Sequence, residues 1–329
     1  MVNVYFVLLP GSLILDWAGP AEALRIANQV LVSKNLVPRF ALHFVSPLPN
    51  APSSVGAMLS GLQVLPDLDG GNCNADPSWV VLVGEPSAGD LRVDSDASRA
   101  VQHWLRVLVL TKGRLELVTI CAGAVLAGHA GLLAGRRATT HHQHLDELRR
   151  VEPQCDVVAN RVFVDDAPVF SSAGVTTGID LMLYRISTEC GPALAAQVAQ
   201  TMVVALRRGP NDPELSPFLA YRAHMHSALH RVQDAVGQAP ESSWTVPAMA
   251  EVAHTSPRHL TRLFLEYAGI APLQYLRRIR LAVAQTALQS GRNVTQAAEM
   301  AGFSSDTQLR RAWQHFEVAG TPSNPVRAA

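Results

Sequence analysis

Short apolar runs alternate with longer amphipathic segments along the first 135 residues. The continuous runs lie at 4–9 (VYFVLL), 40–46 (FALHFVS), 79–84 (WVVLVG) and 115–120 (LELVTI). Runs of this length and composition are typical of strands buried on both faces of a parallel sheet. The segments between them have helical periodicity. Strands that alternate with helices predict a doubly wound α/β domain with a mainly parallel sheet, which binds ligands at the carboxyl ends of its strands.

A helical pattern continues from Ile179 to Arg208, where a stripe of apolar residues either covers the sheet or forms a dimer seam. The breaker-rich segment GPNDPELSP follows at 209–217 and predicts a linker. We therefore expect an α/β domain over 1–208, a linker over 209–221, and a second, all-α domain over 222–329.

One short pattern is written twice in the second domain, over 245–264 and 294–316. Each copy has a helical apolar run, a turn and a second helical run. In the first copy Ser256 is a suitable N-cap and Pro257 suits the first helical position. In the second copy Gly302 turns the chain and Ser305 is the cap. Both copies therefore predict helix-turn-helix units.

The outward face of each second helix carries residue types that read DNA grooves. Arginine binds guanine edges and phosphates in bidentate fashion, whereas a solvated face more often mixes Lys and Glu. The helix predicted over 272–290 is about 27 Å long and would hold both units about one DNA turn apart. A helical protein-interaction domain is the alternative. The residues expected at the major groove of promoter DNA are Ser256, Arg258, Thr261, Arg262, Ser305, Asp306, Thr307, Arg310 and Arg311.

The distribution of charge supports this division of the chain. The whole sequence has 27 basic and 27 acidic residues, so its net charge is zero. From Arg222 onward there are 11 Arg against 7 Asp plus Glu, and the preceding residues are correspondingly acidic. The basic excess is modest, but it lies in the part predicted to bind DNA.

Apolar runs and cysteines exclude other classes of protein. No uninterrupted apolar run approaches the ~20 residues of a membrane span, and the N-terminus has no cleavable signal pattern. We expect a cytoplasmic protein. The four cysteines, which are Cys73, Cys121, Cys155 and Cys190, have neither a close pair nor zinc-like spacing. No disulfide, metal or cofactor is expected.

Cys121 differs from the other cysteines because it lies between a predicted strand and a predicted helix. At such a strand-to-helix elbow the amide groups of the helix favour an anion and lower the pKa of a thiol. Cys121 is thus either a nucleophile or ligand contact, or a small hydrophobic residue packed beneath the helix.

Two family resemblances cover most of the chain. Ser256 to Phe264, the segment GIAPLQYLRRIRLAVAQTAL and the segment AGFSSDTQLRRAW resemble the DNA-binding domain of AraC/XylS-type regulators. LDWAGP (15–20), CAGAVLAGHAGLLAGRRATTH (121–141) and SSAGVTTGID (171–180) are similar to the ThiJ/PfpI branch of the class I glutamine amidotransferase-like superfamily. This second resemblance implies a flavodoxin-like, amidotransferase-like fold. In this order, the two domains resemble the GlxA-type subgroup of AraC regulators.

The ThiJ/PfpI resemblance implies a site around the elbow cysteine, with an acidic residue and often a histidine beside it. The matching positions are Asp16, Cys121 and His141, which would be the catalytic residues if the domain were an enzyme. His142 and His144 are expected to be solvated. The residues expected to bind a ligand are Asp16, Gly84, Cys121, Ala122, His141, Ala173 and Gly174.

The function expected from these resemblances is a ligand-responsive transcription regulator, more specifically an activator. It would bind promoter DNA as a homodimer, recruit RNA polymerase, and sense a small effector such as a nitrogen-containing metabolite. Catalysis is not expected. One alternative is an isonitrile hydratase or amidohydrolase-like enzyme that uses Cys121 as nucleophile. A redox sensor that oxidises Cys121 is another.

Overall fold

A computed structural model describes residues 1–68, 76–85, 91, 93–204, 208–210, 212–316, 318 and 320–325. The chain divides into two compact units. The first ends at Glu214, and the second begins at Leu215. Cys73 lies outside the described residues, and Cys121, Cys155 and Cys190 are free thiols. Among the described residues no helix combines the length and apolar character that crossing a membrane requires.

The first unit contains a mainly parallel sheet and helices on both of its faces. Its strands are β1 (Val2–Val7), β2 (Phe40–Val45), β3 (Asn50–Pro52), β4 (Met58–Ser60), β5 (Ser78–Leu82), β6 (Leu115–Ile120), β7 (Arg137–Ala138), β8 (Asp156–Val157), β9 (Phe163–Asp166) and β10 (Val169–Ser172). Its helices are α1 (Ile14–Ser33), α2 (Asp96–Arg106), α3 (Gly123–His129), α4 (Leu145–Val151), α5 (Thr177–Cys190) and α6 (Pro192–Thr201). The main sheet has the order β2-β1-β5-β6-β10-β9. Only the pairing of β9 with β10 in this order is antiparallel.

Successive strand residues point to opposite faces of the sheet, and each face has its own core. Trp79 and Val81 pack into the core that contains residues of α1, α5 and α6, whereas Val80 packs into the core that contains residues of α2, α3 and α4. Both faces are therefore covered, which explains why the strands are continuously apolar. The α/β, doubly wound fold predicted from the sequence is confirmed.

The segment predicted to be helical from Ile179 to Arg208 forms two helices, α5 and α6, which are separated by Gly191 at φ +91°. Helix α6 ends at Thr201, before the predicted end, and residues 205–207 lie outside the described residues. Pro192 begins α6, because a proline suits the first turn of a helix and cannot continue the preceding one. Residues of α6 are buried beside those of α1 and α5, so the apolar stripe belongs to the core rather than to a free seam.

The second unit is almost wholly helical. Its elements are α7 (Pro217–Ala220), α8 (Ser227–Gln238), α9 (Val246–Val252), α10 (Pro257–Leu263), α11 (Pro272–Gln289), α12 (Val294–Met300), α13 (Asp306–His315), β11 (Gly320–Thr321) and β12 (Asn324–Pro325). Residues 221–226 separate α7 from α8. A π-helical stretch, Phe264–Ala268, follows α10.

Helix α11 connects two small cores in the second unit. Tyr275, Leu276 and Ile279 from its first half pack with α8, α9 and α10. Leu281 and Leu288 from its second half pack with α12 and α13. Because one continuous helix contributes to both cores, it fixes the two helix-turn-helix units with respect to each other.

Candidate functional sites

Cys121 occupies a sharp elbow between β6 and α3. Its φ is +57°, a left-handed conformation that non-glycine residues rarely adopt, and only 4% of the residue is exposed. Gly123 allows this close approach, because a Cβ there would overlap the carbonyl of Leu82 on the neighbouring strand. The sequence Cys-Ala-Gly therefore places the thiol at the carboxyl end of the sheet.

Asp16, in the first turn of α1, reaches the elbow from another part of the chain. Its carboxylate is fully buried and accepts hydrogen bonds from the amide of Val175 (2.7 Å) and the amide of Gly84 (3.1 Å). The Cys121 thiol donates a third hydrogen bond to it. Burial raises the pKa of Asp16, and the three hydrogen bonds oppose that rise. The structure thus brings Asp16 and Cys121 together, as the sequence predicted.

Two glycines close over the thiol. A Cβ on Gly84 would lie 2.8 Å from the Cβ of Cys121, and a Cβ on Gly174 would overlap Cys121 outright. The Gly84 amide donates its hydrogen bond to the Asp16 carboxylate. Ala122 and Ala173 are also buried, and the Ala173 amide is bonded to the carbonyl of Val162. These four predicted ligand residues line the elbow from within the protein.

The environment of Cys121 favours the neutral thiol. Burial raises its pKa far above the usual range, and the negative charges of Asp16 and Glu214 raise it further. The hydrogen bond from the Ala122 amide acts in the opposite direction and is outweighed. The elbow therefore does not lower the thiol pKa, contrary to the expectation from its place before a helix.

His141 lies beside the elbow in a group of histidines. The preceding residue, Thr140, donates its hydroxyl to the carbonyl of Cys121 at 2.8 Å. The His141 ring stacks against His142, with ring centroids 4.1 Å apart, and lies near His144 at 6.3 Å. Burial and these two rings lower the pKa of His141 to about 4. The aromatic contacts of the His141 ring are thus with the two neighbouring histidines.

The environments of the other two histidines differ from each other. His144 is buried and its Nδ1 lies 2.6 Å from a carboxylate oxygen of Glu147, so the expectation that it is solvated is wrong. His142 is partly exposed, and its Nδ1 lies 2.8 Å from Oε1 of Glu214. Sequence reasoning missed Glu214 and Val175, because their roles depend on contacts between distant parts of the chain.

The two helix-turn-helix units have matching turns and caps. His254 and Gly302 each have a positive φ after the first helix, at +53° and +78°. Ser256 accepts a hydrogen bond from the His259 amide, and Ser305 accepts one from the Gln308 amide. These side chains satisfy amides at the start of α10 and α13, as the predicted caps require. The second helix of each unit therefore begins at the residue that the sequence indicates.

The predicted DNA-reading side chains of the first helix-turn-helix unit lie on one face of α10. Arg258, Thr261 and Arg262 line a shallow groove together with Leu265 and Glu266. Both arginines are exposed. The Arg262 guanidinium contacts Nδ1 of His259 at 2.9 Å, and the Thr261 hydroxyl donates to the carbonyl of Pro257.

Of the predicted DNA-reading residues on α13, Thr307, Arg310 and Arg311 are exposed. Arg310 donates to the Ser323 hydroxyl at 2.8 Å, and Asp306 accepts a hydrogen bond from Thr295 at 3.0 Å. Two further arginines, Arg277 and Arg280 of α11, line the same cavity as Arg311. They are not among the DNA-binding residues predicted from the sequence. Basic side chains are thus placed by α11 as well as by the two second helices.

The first unit has a ThiJ/PfpI-like fold with a cysteine at its strand-to-helix elbow, and the second has two capped helix-turn-helix units. Together they place the protein in the class of transcription regulators with an enzyme-like α/β domain. Family models agree with both halves: the DJ-1/PfpI family matches residues 3–188, and a helix-turn-helix domain matches residues 249–322. The chain belongs to the DJ-1/PfpI family, and within it to the HTH-type transcriptional regulators with an AraC-type domain.

Relatives extend over nearly the whole chain. The HTH-type transcriptional regulator CdhR of Pseudomonas aeruginosa is 30% identical over 325 residues, which are 98% of this chain and 90% of that protein. The HTH-type transcriptional regulator GlxA of Rhizobium meliloti is 30% identical over 316 residues, covering 95% and 92%. An isonitrile hydratase of Pseudomonas putida is 29% identical over 216 residues, covering 64% and 81%.

The solved structures agree with the fold of the first unit. A THiJ/PfpI family protein from Pseudomonas syringae matches with a TM-score of 0.51 at 20% identity. The match covers 72% of this chain and 86% of that one. At this identity the likeness shows the fold alone.

Proposed function

We propose that this DNA-binding transcription regulator is an activator whose first unit binds a small metabolite at the Cys121 elbow. One observation carries the DNA-binding part of the proposal: α10 and α13 present exposed arginines from cores that share the single helix α11. The ligand then acts by favouring the DNA-competent state. A preference of about 1 to 3 kcal/mol changes DNA affinity about 5- to 150-fold.

The test is binding of the purified protein to the DNA upstream of its own gene, at several salt concentrations. We expect Arg262→Ala and Arg311→Ala each to cost about 1 to 3 kcal/mol and to relax base preference, because arginine binds base edges and phosphates. Arg25→Ala is the matched control, because it removes one exposed positive charge from α1 in the first unit. Equal affinities for all four proteins would rule out α10 and α13 as the DNA-reading helices.

The ligand site is proposed at the rim of the elbow, near His141, and its ligand is a nitrogen-containing metabolite. Asp16 has a positioning role, since its carboxylate already accepts hydrogen bonds from Val175, Gly84 and the thiol. A thermal-shift screen of amino acids and quaternary amines tests the ligand class. We expect a compound that raises the melting temperature to change the affinity for DNA as well, because binding free energies are reciprocally linked. A compound that raises the melting temperature without changing the affinity for DNA would contradict the regulatory role of the site.

The second candidate function is enzymatic, and the likeness to an isonitrile hydratase favours it. We propose that the unit is not an enzyme, because a nucleophilic thiol needs to be deprotonated and Cys121 is held as the neutral thiol by burial and Asp16. Hydration of an isonitrile by the wild type, lost in Cys121→Ala, would establish the enzyme instead. No turnover by either protein would support the sensor.

A homodimer and a contact with RNA polymerase complete the proposal. Two copies of the chain would read two half-sites of an operator, which favours symmetric assembly. Sedimentation of the full chain with and without operator DNA tests the assembly. A monomer under both conditions would contradict it.

A further inference from the structure

Three side chains with metal-ligating atoms converge beside the elbow. They are His141 and His142, which follow the strand β7, and Glu214, the last residue of the first unit. One nitrogen of each ring and one carboxylate oxygen all lie within 4.8 Å of one another. The Glu214 side chain is 6% exposed, whereas that of His142 is 41% exposed, so the group lies at a surface with its carboxylate covered.

This set of donors matches a known ligand chemistry. Two imidazoles and one carboxylate are a usual protein ligand set for zinc, with a fourth position left to water or another ligand. In a tetrahedral site with bonds of about 2.0 Å, neighbouring ligand atoms are about 3.3 Å apart. Small side-chain rotations would bring atoms that are already within 4.8 Å to this separation.

We propose that His141, His142 and Glu214 form a binding site for one transition-metal dication of the zinc class. A hydrogen bond between His142 and Glu214 already holds two of the three groups together at 2.8 Å. The amide of His142 also donates to the same carboxylate oxygen, at 3.2 Å. This second contact fixes the carboxylate through the backbone and leaves it in place when the ring turns to a metal ion.

Because of its position, a metal ion in this site would connect two parts of the first unit. His141 follows Thr140, whose hydroxyl is bonded to the carbonyl of Cys121. Glu214 ends the segment that leads out of the first unit. Earlier in that segment the carbonyl of Asp212 accepts the Val162 amide, and Arg208 pairs with Asp180. A bound metal ion therefore links the elbow to Glu214, the last residue of the first unit.

The experiment measures metal binding by the full-length, tag-free protein after treatment with a chelator. Zn²⁺ is titrated calorimetrically, and Co²⁺ is followed by its absorption spectrum. We expect one Zn²⁺ per chain, a higher melting temperature with Zn²⁺, and a cobalt spectrum without a thiolate band. His142→Ala and Glu214→Gln should each weaken Zn²⁺ binding at least tenfold, because each removes one ligand.

Glu214→Gln separates metal binding from a structural role, because glutamine still accepts a hydrogen bond from the His142 amide. His103→Ala is the matched control, since His103 is exposed on α2 and should leave Zn²⁺ affinity unchanged. The proposal is overturned if the wild type binds no Zn²⁺, or if Glu214→Gln binds it as tightly as the wild type. A cobalt thiolate band that Cys121→Ser abolishes would overturn the ligand set.

Discussion

The chemistry of Cys121 is decided by residues that approach it from three other parts of the chain. The strand-to-helix elbow alone would favour a thiolate, because helix amides lie nearby. Asp16, Gly84 and Gly174 instead surround the thiol with a carboxylate and with close-packed backbone. Sequence reasoning found the position of the elbow, which is local, but it reversed the direction of the pKa shift, which depends on burial. It also missed Glu214, which lies beside His141 and His142.

The raised pKa of Cys121 predicts slow alkylation. Only the thiolate reacts, and a thiol with a raised pKa is almost entirely protonated between pH 7 and 8, so the labelling rate should rise with pH and show no plateau in this range. Cys190 is the internal reference, because it is only half-buried and its pKa is also raised by burial. Iodoacetamide labelling of each cysteine, followed by mass spectrometry, should show Cys121 reacting more slowly than Cys190.

Asp16→Asn tests the cause of this shift. The substitution removes the negative charge that is the second-largest cause, so the pKa of Cys121 should fall and labelling should accelerate. Asp96→Asn, on the exposed surface of α2, should leave the rate unchanged. A wild-type rate that reaches its plateau below pH 7 would show a stable thiolate. That outcome would favour the redox-sensor hypothesis.

At the scale of single elements, local signals gave the helix starts and the turns correctly. Ser256 and Ser305 are caps in the structure, and α11 occupies Pro272–Gln289, one residue short of its predicted end. The helical segment expected over 179–208 is divided at a local signal as well. Gly191-Pro192 separates α5 from α6, and apolar periodicity on both sides concealed the break. Element boundaries could thus be predicted wherever caps and breakers were weighed before periodicity.

The turn of the second helix-turn-helix unit depends on the absence of a side chain at Gly302. Gly302→Ala would place a Cβ at positive φ and 2.5 Å from Cα of Glu241. We expect α12 and α13 to lose about 2 to 4 kcal/mol of local stability, since strain at positive φ and overpacking add together. Mass-spectrometric hydrogen exchange of α12 and α13 measures this loss.

His254→Ala provides the matched control for Gly302→Ala. His254 occupies the corresponding position in the first helix-turn-helix unit. Its φ is +53°, and it already has a side chain. Its replacement should change the stability of α9 and α10 by less than about 1 kcal/mol. Equal protection from exchange in both variants would mean that the contact with Glu241 does not restrict the turn.

At the scale of the whole molecule, the order of the two units could be predicted from motifs, because each motif lies within a short stretch. The group of His141, His142 and Glu214 could not. His141 and His142 are adjacent in the sequence, but the elements α4 to α6 separate them from Glu214. Only the folding of the chain places Glu214 beside the two histidines. Local motifs therefore predicted the class of each unit. The contacts of Glu214 at the end of the first unit could not be predicted, because they depend on the tertiary structure.

The shared helix α11 predicts a fixed spacing of the DNA sites. It is an 18-residue helix with one half in each core, so the distance between α10 and α13 should not adapt to the DNA. Inserting five base pairs between the DNA segments that α10 and α13 of one chain read would turn the second segment to the opposite side of the duplex, since one turn is about 10 base pairs. We expect the affinity to fall to that of DNA with only one of these segments. Gel-shift titrations with operators of increasing spacing measure the effect.

An insertion of ten base pairs distinguishes a rigid helix from a flexible connection. It restores the face of the duplex but moves the segment read by α13 away by about 34 Å, so a rigid α11 predicts that affinity stays low. Arg311→Ala is the control, because a protein whose α13 no longer reads its DNA segment should be almost indifferent to either insertion. Full recovery of wild-type binding at ten base pairs would show that the two helix-turn-helix units move independently, and the common helix would then not set the operator.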